Sequence, residues 1–180
     1  MAVRCFFGVF LALCFIVPMV GSWPTDPLVN VPLCTAVGNQ GGNGPAVVPS
    51  IDGGAIVAWR DERFADYDIY TQRVDGQGFV QWTVDGLPVC NLAEIQMNVK
   101  GISDGAGGAI FVWSDMRDGE ADVYAQRIDV DGQPMWPVGS PSLDGVPVSD
   151  SPEYQTFVMI VSDGVVSTPR CSSIARRLLL

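Results

Sequence analysis

Two constellations of side chains in this chain could do chemistry. Trp59, Asp61, Arg63 and Asp68 form the first, and Trp113, Asp115, Arg117 and Asp122 repeat it at the same spacing. A Trp beside Asp and Arg can hold a sugar, the indole stacking on the ring and the charged groups bonding its hydroxyls. The same residues can instead close a turn, because a guanidinium fork fits a carboxylate bidentately. Their duplication favours the structural use, since a binding site breaks the symmetry of a repeated scaffold. The second constellation is purely acidic: Asp115, Asp118, Glu120 and Asp122 around one turn, and Asp129 with Asp131 in the next. Oxygen-rich loops of that kind can bind Ca²⁺, which takes 6–8 oxygen ligands. The first copy reads "VDGQG" with no second Asp, so a solvated acidic turn is the preferred reading. Paired carboxylates also serve glycoside hydrolysis, but no pair here stands out from the others.

The chain has no histidine. That removes Ser-His-Asp and Cys-His catalysis and the commonest zinc and iron ligand. Cys-x-x-Cys, P-loop and G-x-G-x-x-G elements are missing as well. The expectation is a protein without enzymatic activity and without a cofactor, Ca²⁺ being the one metal considered.

The elements that carry these residues come in two copies. "GGAIVAWRDERFADYDIYTQRVDGQGFVQW" (53–82) and "GGAIFVWSDMRDGEADVYAQRIDVDGQPMW" (107–136) align without a gap and agree at 14 of 30 positions. The likeness continues through "GLPVC" and "GVPVS", then "KGISDG" and "MIVSDG". Upstream, "SWPTDPLVNVPLC" reads as the end of a preceding copy. Within each copy, "AIVAW" and "AIFVW" are short apolar runs suited to strands buried on both faces. "DIYTQRV" and "DVYAQRI" are rich in β-branched and aromatic residues. Asp-Gly turns follow. A further strand is expected through Trp82 or Trp136, then one ending at "NVKGIS" or "TFVMIVS". About four antiparallel strands per roughly 50 residues is the size of a propeller blade. The expected fold is all-β, made of consecutive four-stranded blade-like repeats.

The chain divides accordingly. Residues 1–22 hold one arginine and an apolar run ending in "VGS", the layout of a cleaved signal peptide. Residues 23–164 hold the repeats, with a partial copy at 23–52 and full copies at about 53–103 and 104–162. Residues 165–180, "VVSTPRCSSIARRLLL", lose the register and are expected to be an irregular tail. Two copies and part of a third cannot close a ring of at least four blades. The expectation is therefore an incomplete propeller, shortened from a longer repeat protein. Export makes the chain secreted or cell-surface, with no membrane span once the signal is removed. Cys34 and Cys90 take matching places in the copies and are either a disulfide or two buried thiols, the latter preferred because corresponding positions in neighbouring units lie too far apart. The formal net charge of −10 repels a phosphate backbone, so nucleic acid is excluded as a partner.

The pattern G-G-apolar-W-x-D-x-R followed by "DIYTQRV" or "DVYAQRI" resembles the repeats of secreted bacterial β-propeller-type proteins. That resemblance implies the fold and the compartment. Asp75, Gly78 and Trp82, and Asp129, Gly132 and Trp136, are similar to the Asp-box of sialidase-like propellers, with each interval one residue longer. The Asp-box is a hairpin-stabilising element. These features imply a non-enzymatic interaction module whose partner is a protein or a glycan. The alternatives are part of a carbohydrate-active propeller enzyme and a calcium-stabilised adhesive repeat.

Overall fold

A computed structural model describes residues 23, 24, 26, 28–64, 66–137, 145–149, 155 and 158–162. The expected signal peptide (1–22) and the tail (165–180) lie outside them. The described residues form an all-β structure of two four-stranded antiparallel sheets, with no helix among them. The first sheet runs in chain order through β1 (Gln40–Pro49), β2 (Ala55–Asp61), β3 (Asp68–Val74) and β4 (Leu87–Cys90). The second runs through β5 (Gln96–Ser103), β6 (Ala109–Asp115), β7 (Asp122–Ile128) and β8 (Val146–Ser149).

The two sheets share a register. In the first, Trp59 lies opposite Tyr70 and Asp61 opposite Asp68; in the second, Trp113 lies opposite Tyr124 and Asp115 opposite Asp122. The Gly-Gly pair before each apolar strand has a steric cause. A Cβ on Gly54 would stand 1.9 Å from the Val74 carbonyl oxygen, and one on Gly108 2.2 Å from that of Ile128. Only glycine lets the two strands of this hairpin approach so closely.

Two features differ from the sequence expectation. The sheets are cut at another phase than the copies: β5, which ends the copy 53–103, is the first strand of the second sheet. A turn of five residues joins it to β6, and the short connection sets the pairing. No strand runs through Trp82 or Trp136 either; a lone bridge, Val74 to Val80 or Ile128 to Pro134, is all that forms there. The cause is a buried glutamine in each sheet. Gln72 accepts from the Trp82 N–H (3.1 Å) and donates to the Thr83 carbonyl (2.7 Å). Gln126 accepts from the Trp136 N–H (2.9 Å) and donates to its carbonyl (3.0 Å). The side-chain amide takes the place of a ladder, and the edge is left to β4 and β8.

One apolar cluster joins the sheets. Val48, Ile56, Ala58, Ile69 and Val89 of the first meet Val99, Ala109, Phe111 and Trp113 of the second. A second cluster covers the far face of the second sheet, where Ile110, Val112, Val123 and Ala125 pack with Trp136 and Val158. The described residues of "TFVMIVS" form no strand. Just before them, Gln155 meets the second sheet as Gln96 of β5 meets the first: Gln155 N–H donates to the Ala121 carbonyl at 2.8 Å, as Gln96 N–H does to that of Tyr67 at 2.7 Å. Every residue of β6 is buried, whereas Ala55, Val57 and Arg60 of β2 remain partly open.

Candidate functional site

Strand alternation puts Trp59 and Asp61 on one face of β2, and Trp113 and Asp115 on the same face of β6. Each indole N–H donates to the carboxylate two residues on, at 2.8 Å in both sheets. The chain then turns. The backbone N–H of Arg63 bonds Asp61 Oδ1 at 3.0 Å, and that of Arg117 bonds Asp115 Oδ1 at 3.0 Å, an Asp-capped turn that aims the arginine back at its own carboxylate. Arg63 closes on Asp61 with Nε at 2.8 Å and Nη2 at 2.7 Å; Arg117 closes on Asp115 at 3.0 and 2.6 Å. The bidentate fork of the structural reading is present in both copies.

The guanidinium then reaches outward. It lies over the ring of the residue opposite the Trp, Tyr70 at 3.8 Å or Tyr124 at 3.7 Å. Its Nη2 also touches the cysteine of the preceding unit, Cys34 from Arg63 (3.3 Å) and Cys90 from Arg117 (3.5 Å). Arg63 further donates to the Asp85 carbonyl at 2.8 Å, and the Asp85 carboxylate accepts from the Thr35 N–H and hydroxyl at 2.6 and 2.9 Å. Each arginine therefore stitches segments far apart in sequence. Cys34 and Cys90 are free thiols, one beside each arginine. Burial pushes the Cys90 thiol up to about 12, so it stays protonated and inert.

The electrostatics follow from this closure. Burial pushes the Asp61 and Asp115 carboxyls up, but the bonds from arginine and indole outweigh it and hold both below the ordinary aspartate value. Both carboxylates are fully enclosed. Asp68 behaves in the opposite way. It is 3% exposed, and burial together with the neighbouring charges of Asp61 and Asp66 raises it to about 6. Its counterpart Asp122 is only half-buried. The four residues of each set are thus brought together, with Trp, Asp and Arg satisfying one another and little of the group left to face a ligand.

Asp75 and Asp129 hold the hairpins that follow. The Asp75 carboxylate accepts from Gln77 and Phe79 N–H (2.9 Å each), and Asp129 from Asp131 and Gln133 N–H (3.0 and 2.8 Å). Among the described residues no three acidic or cysteine side chains converge to hold a metal ion, the acidic residues considered for Ca²⁺ included. An open cavity of about 320 Å³ lies between β1, β5 and residues 158–160, lined mostly by apolar groups with Lys100 beside them.

Sequence reasoning missed several buried polar groups. Besides Gln72 and Gln126, Asp104 is buried and accepts from Ala106 and Gly108 N–H and from Arg127 Nε at 2.8 Å each. The identity of Gln72 with Gln126 and Arg73 with Arg127 was the available signal. Arg60, Glu62 and Tyr67 had none, because the second copy has Ser114, Met116 and Ala121 at those places.

Comparison with protein-family models, with curated proteins and with solved structures finds no match. The described residues define an all-β arrangement of two antiparallel four-stranded sheets.

Proposed function

We propose that this chain is a non-enzymatic, secreted or cell-surface module of β-propeller-type blades that acts by binding a protein or a glycan. One observation carries the reading: the most reactive-looking constellation occurs twice, in one geometry, and is consumed by internal bonds in both sheets. Trp59, Asp61 and Arg63, like Trp113, Asp115 and Arg117, are the scaffold that seats one unit on the next. The matching register of the two sheets and the shared cluster between them support a blade-on-blade arrangement. Export rests on the charge and apolar run of residues 1–22.

The runner-up, part of a carbohydrate-active enzyme, draws on Asp68, whose carboxyl rises to about 6 beside Asp61. A glycosidase acid needs such a value, but it also needs access to the bond it protonates, and Asp68 is enclosed. The test is a panel of chromogenic glycosides, sialosides included, run beside arrays of extracellular proteins and glycans. Binding without turnover supports the module. Turnover abolished by Asp68→Asn would replace it with the enzyme. A melting temperature that falls in EDTA and returns with Ca²⁺ would instead favour the calcium-stabilised repeat.

A further inference from the structure

The junction of the two sheets holds a cluster that the repeat does not duplicate. Arg60, near the end of β2, lays its guanidinium over the Tyr67 ring at 4.1 Å. Its Nη2 donates to Glu62 Oε1 at 2.8 Å, and Asn39 Nδ2 donates to the same oxygen at 3.0 Å. Arg60 Nε is buried without an acceptor, and Nη1 makes no hydrogen bond among the described residues. Buried donors are normally paired, so an arginine held with half its fork unused calls for an explanation. Stacking on Tyr67 and the bond to Glu62 fix the fork without filling it.

Two β-bulges complete the surroundings. The pairing of β1 with β2 slips between Gly41 and Ala46, and that of β5 with β6 between Met97 and Lys100. Bulges re-aim side chains. Here they bring Asn43 and Asn98 into a direct amide–amide hydrogen bond across the two sheets, with Asn98 in the left-handed region at φ 59°. Gly42 in the first bulge lies against the Arg60 guanidinium, and Gln96 in β5 bonds the Tyr67 carbonyl, so bulges, arginine and tyrosine form one neighbourhood. Phe64, on the same β2–β3 loop as Glu62 and Tyr67, is 70% exposed.

We propose that Arg60, Glu62 and Tyr67, with the amide of Asn43 beside them, form a binding site for a neutral saccharide. The class follows from the donors and acceptors. A vicinal pair of sugar hydroxyls gives and takes hydrogen bonds at once. The free Nη1 donates to it, as can the second proton of Asn43 Nδ2, and the second oxygen of Glu62 accepts. An anionic ligand would meet Glu62, nearby Asp66 and a chain of net charge −10. A cation would meet Arg60. Phe64 supplies an apolar surface for the C–H face of a ring. The second sheet carries Ser114, Met116 and Ala121 at the three central positions, so it offers no such site.

This proposal rests on the interaction-module reading and narrows it to one ligand class and one place. The second sheet also supplies the control. Arg60→Ser, Glu62→Met and Tyr67→Ala copy residues that the second sheet accommodates. The full chain is titrated by calorimetry with soluble gluco-, manno-, galacto- and xylo-oligosaccharides, and with sialylated and sulfated ones as acidic controls. The expected result is binding of at least one neutral oligosaccharide, weakened about tenfold or more in the triple variant, with a far-ultraviolet spectrum like that of the parent. Phe64→Ala is a second variant that leaves the hydrogen-bonding groups in place, and it is expected to weaken binding less. No binding of any neutral oligosaccharide at millimolar concentration overturns the site, as does binding that the triple variant retains or a preference for the acidic controls. In each of those cases a protein partner found on the arrays would leave the module reading standing.

Discussion

Replacing Arg117 by alanine tests the closure that organises each sheet. The substitution removes two bonds to Asp115, the contact over Tyr124 and the contact to Cys90. The Asp115 carboxylate, fully enclosed, keeps the Trp113 indole, one backbone N–H and the Cys90 thiol. Removing one partner of a buried ion pair costs about 3–5 kcal/mol, because the other charge is left uncompensated. For a chain of 180 residues that corresponds to a fall in melting temperature of about 6–20 °C. The loss depends on pH in a defined direction. In the parent the Asp115 carboxyl is depressed, so its contribution is present above the unfolded aspartate value and is lost as pH falls through the folded value. Without Arg117, burial dominates and raises the carboxyl. The variant's Asp115 then favours the fold only while protonated, and that contribution is lost as pH rises. The gap between parent and variant therefore widens from acid toward neutral pH. Thermal unfolding followed by tryptophan fluorescence at about pH 4 and pH 7 measures it. A gap of less than about 2 °C at neutral pH, or one equal at both pH values, would refute the argument that this arginine neutralises an enclosed carboxylate.

Asp68→Asn should raise the melting temperature above pH 7. The raised carboxyl contributes stability that is present below the unfolded aspartate value and is lost as pH climbs through about 6, so the gain should shrink toward pH 4. Gly86→Ala places a Cβ 2.7 Å from the Trp59 ring and 2.9 Å from the Thr71 carbonyl oxygen, at φ 90°. A loss of about 1–3 kcal/mol in denaturant titration is expected from the backbone strain alone. Gln126→Leu leaves the backbone N–H and carbonyl of Trp136 without their partner, which costs about 1–3 kcal/mol for each buried group left unpaired. An unchanged denaturation midpoint would show that water replaces the amide.

The strands that sequence located best are β2, β3, β6 and β7. Their apolar and β-branched runs decide their own conformation, and duplication marks their limits. No strand was expected at β1, whose "GGNGP" holds residues common in turns. It becomes a strand through its partner: Ala46, Val47 and Val48 lie opposite Ala58, Val57 and Ile56, and no local pattern records that pairing. The missing strand at Trp82 failed for a similar reason, since a glutamine ten residues away occupies the backbone there. At the candidate site the Asp61–Arg63 fork was legible from spacing and repetition. The contact of Arg63 with Cys34 was not, because 29 residues separate them and nothing in either segment announces the other. Arg60 and Tyr67 stayed hidden because the second copy lacks them, and a repeat alignment treats such positions as drift.

The unequal burial of the two sheets has a consequence for motion. β6 is enclosed on both faces, by the first sheet on one side and by Val158 and Trp136 on the other, whereas β2 keeps Ala55, Val57 and Arg60 partly open. Local opening exposes least new apolar surface where a strand is already half wet, so amide protons of the first sheet should exchange through smaller openings than those of the second. The gradient runs along the chain. Slowest exchange belongs at Phe111, Val112 and Trp113, with protection falling back toward β1, whose residues from Gly42 to Pro45 are all exposed. Unfolding then begins at β1 and passes to the second sheet last. The face of β2 that carries Ala55 and Val57 is therefore the place where a neighbouring unit, laid against it, would slow the dynamics of the whole chain most.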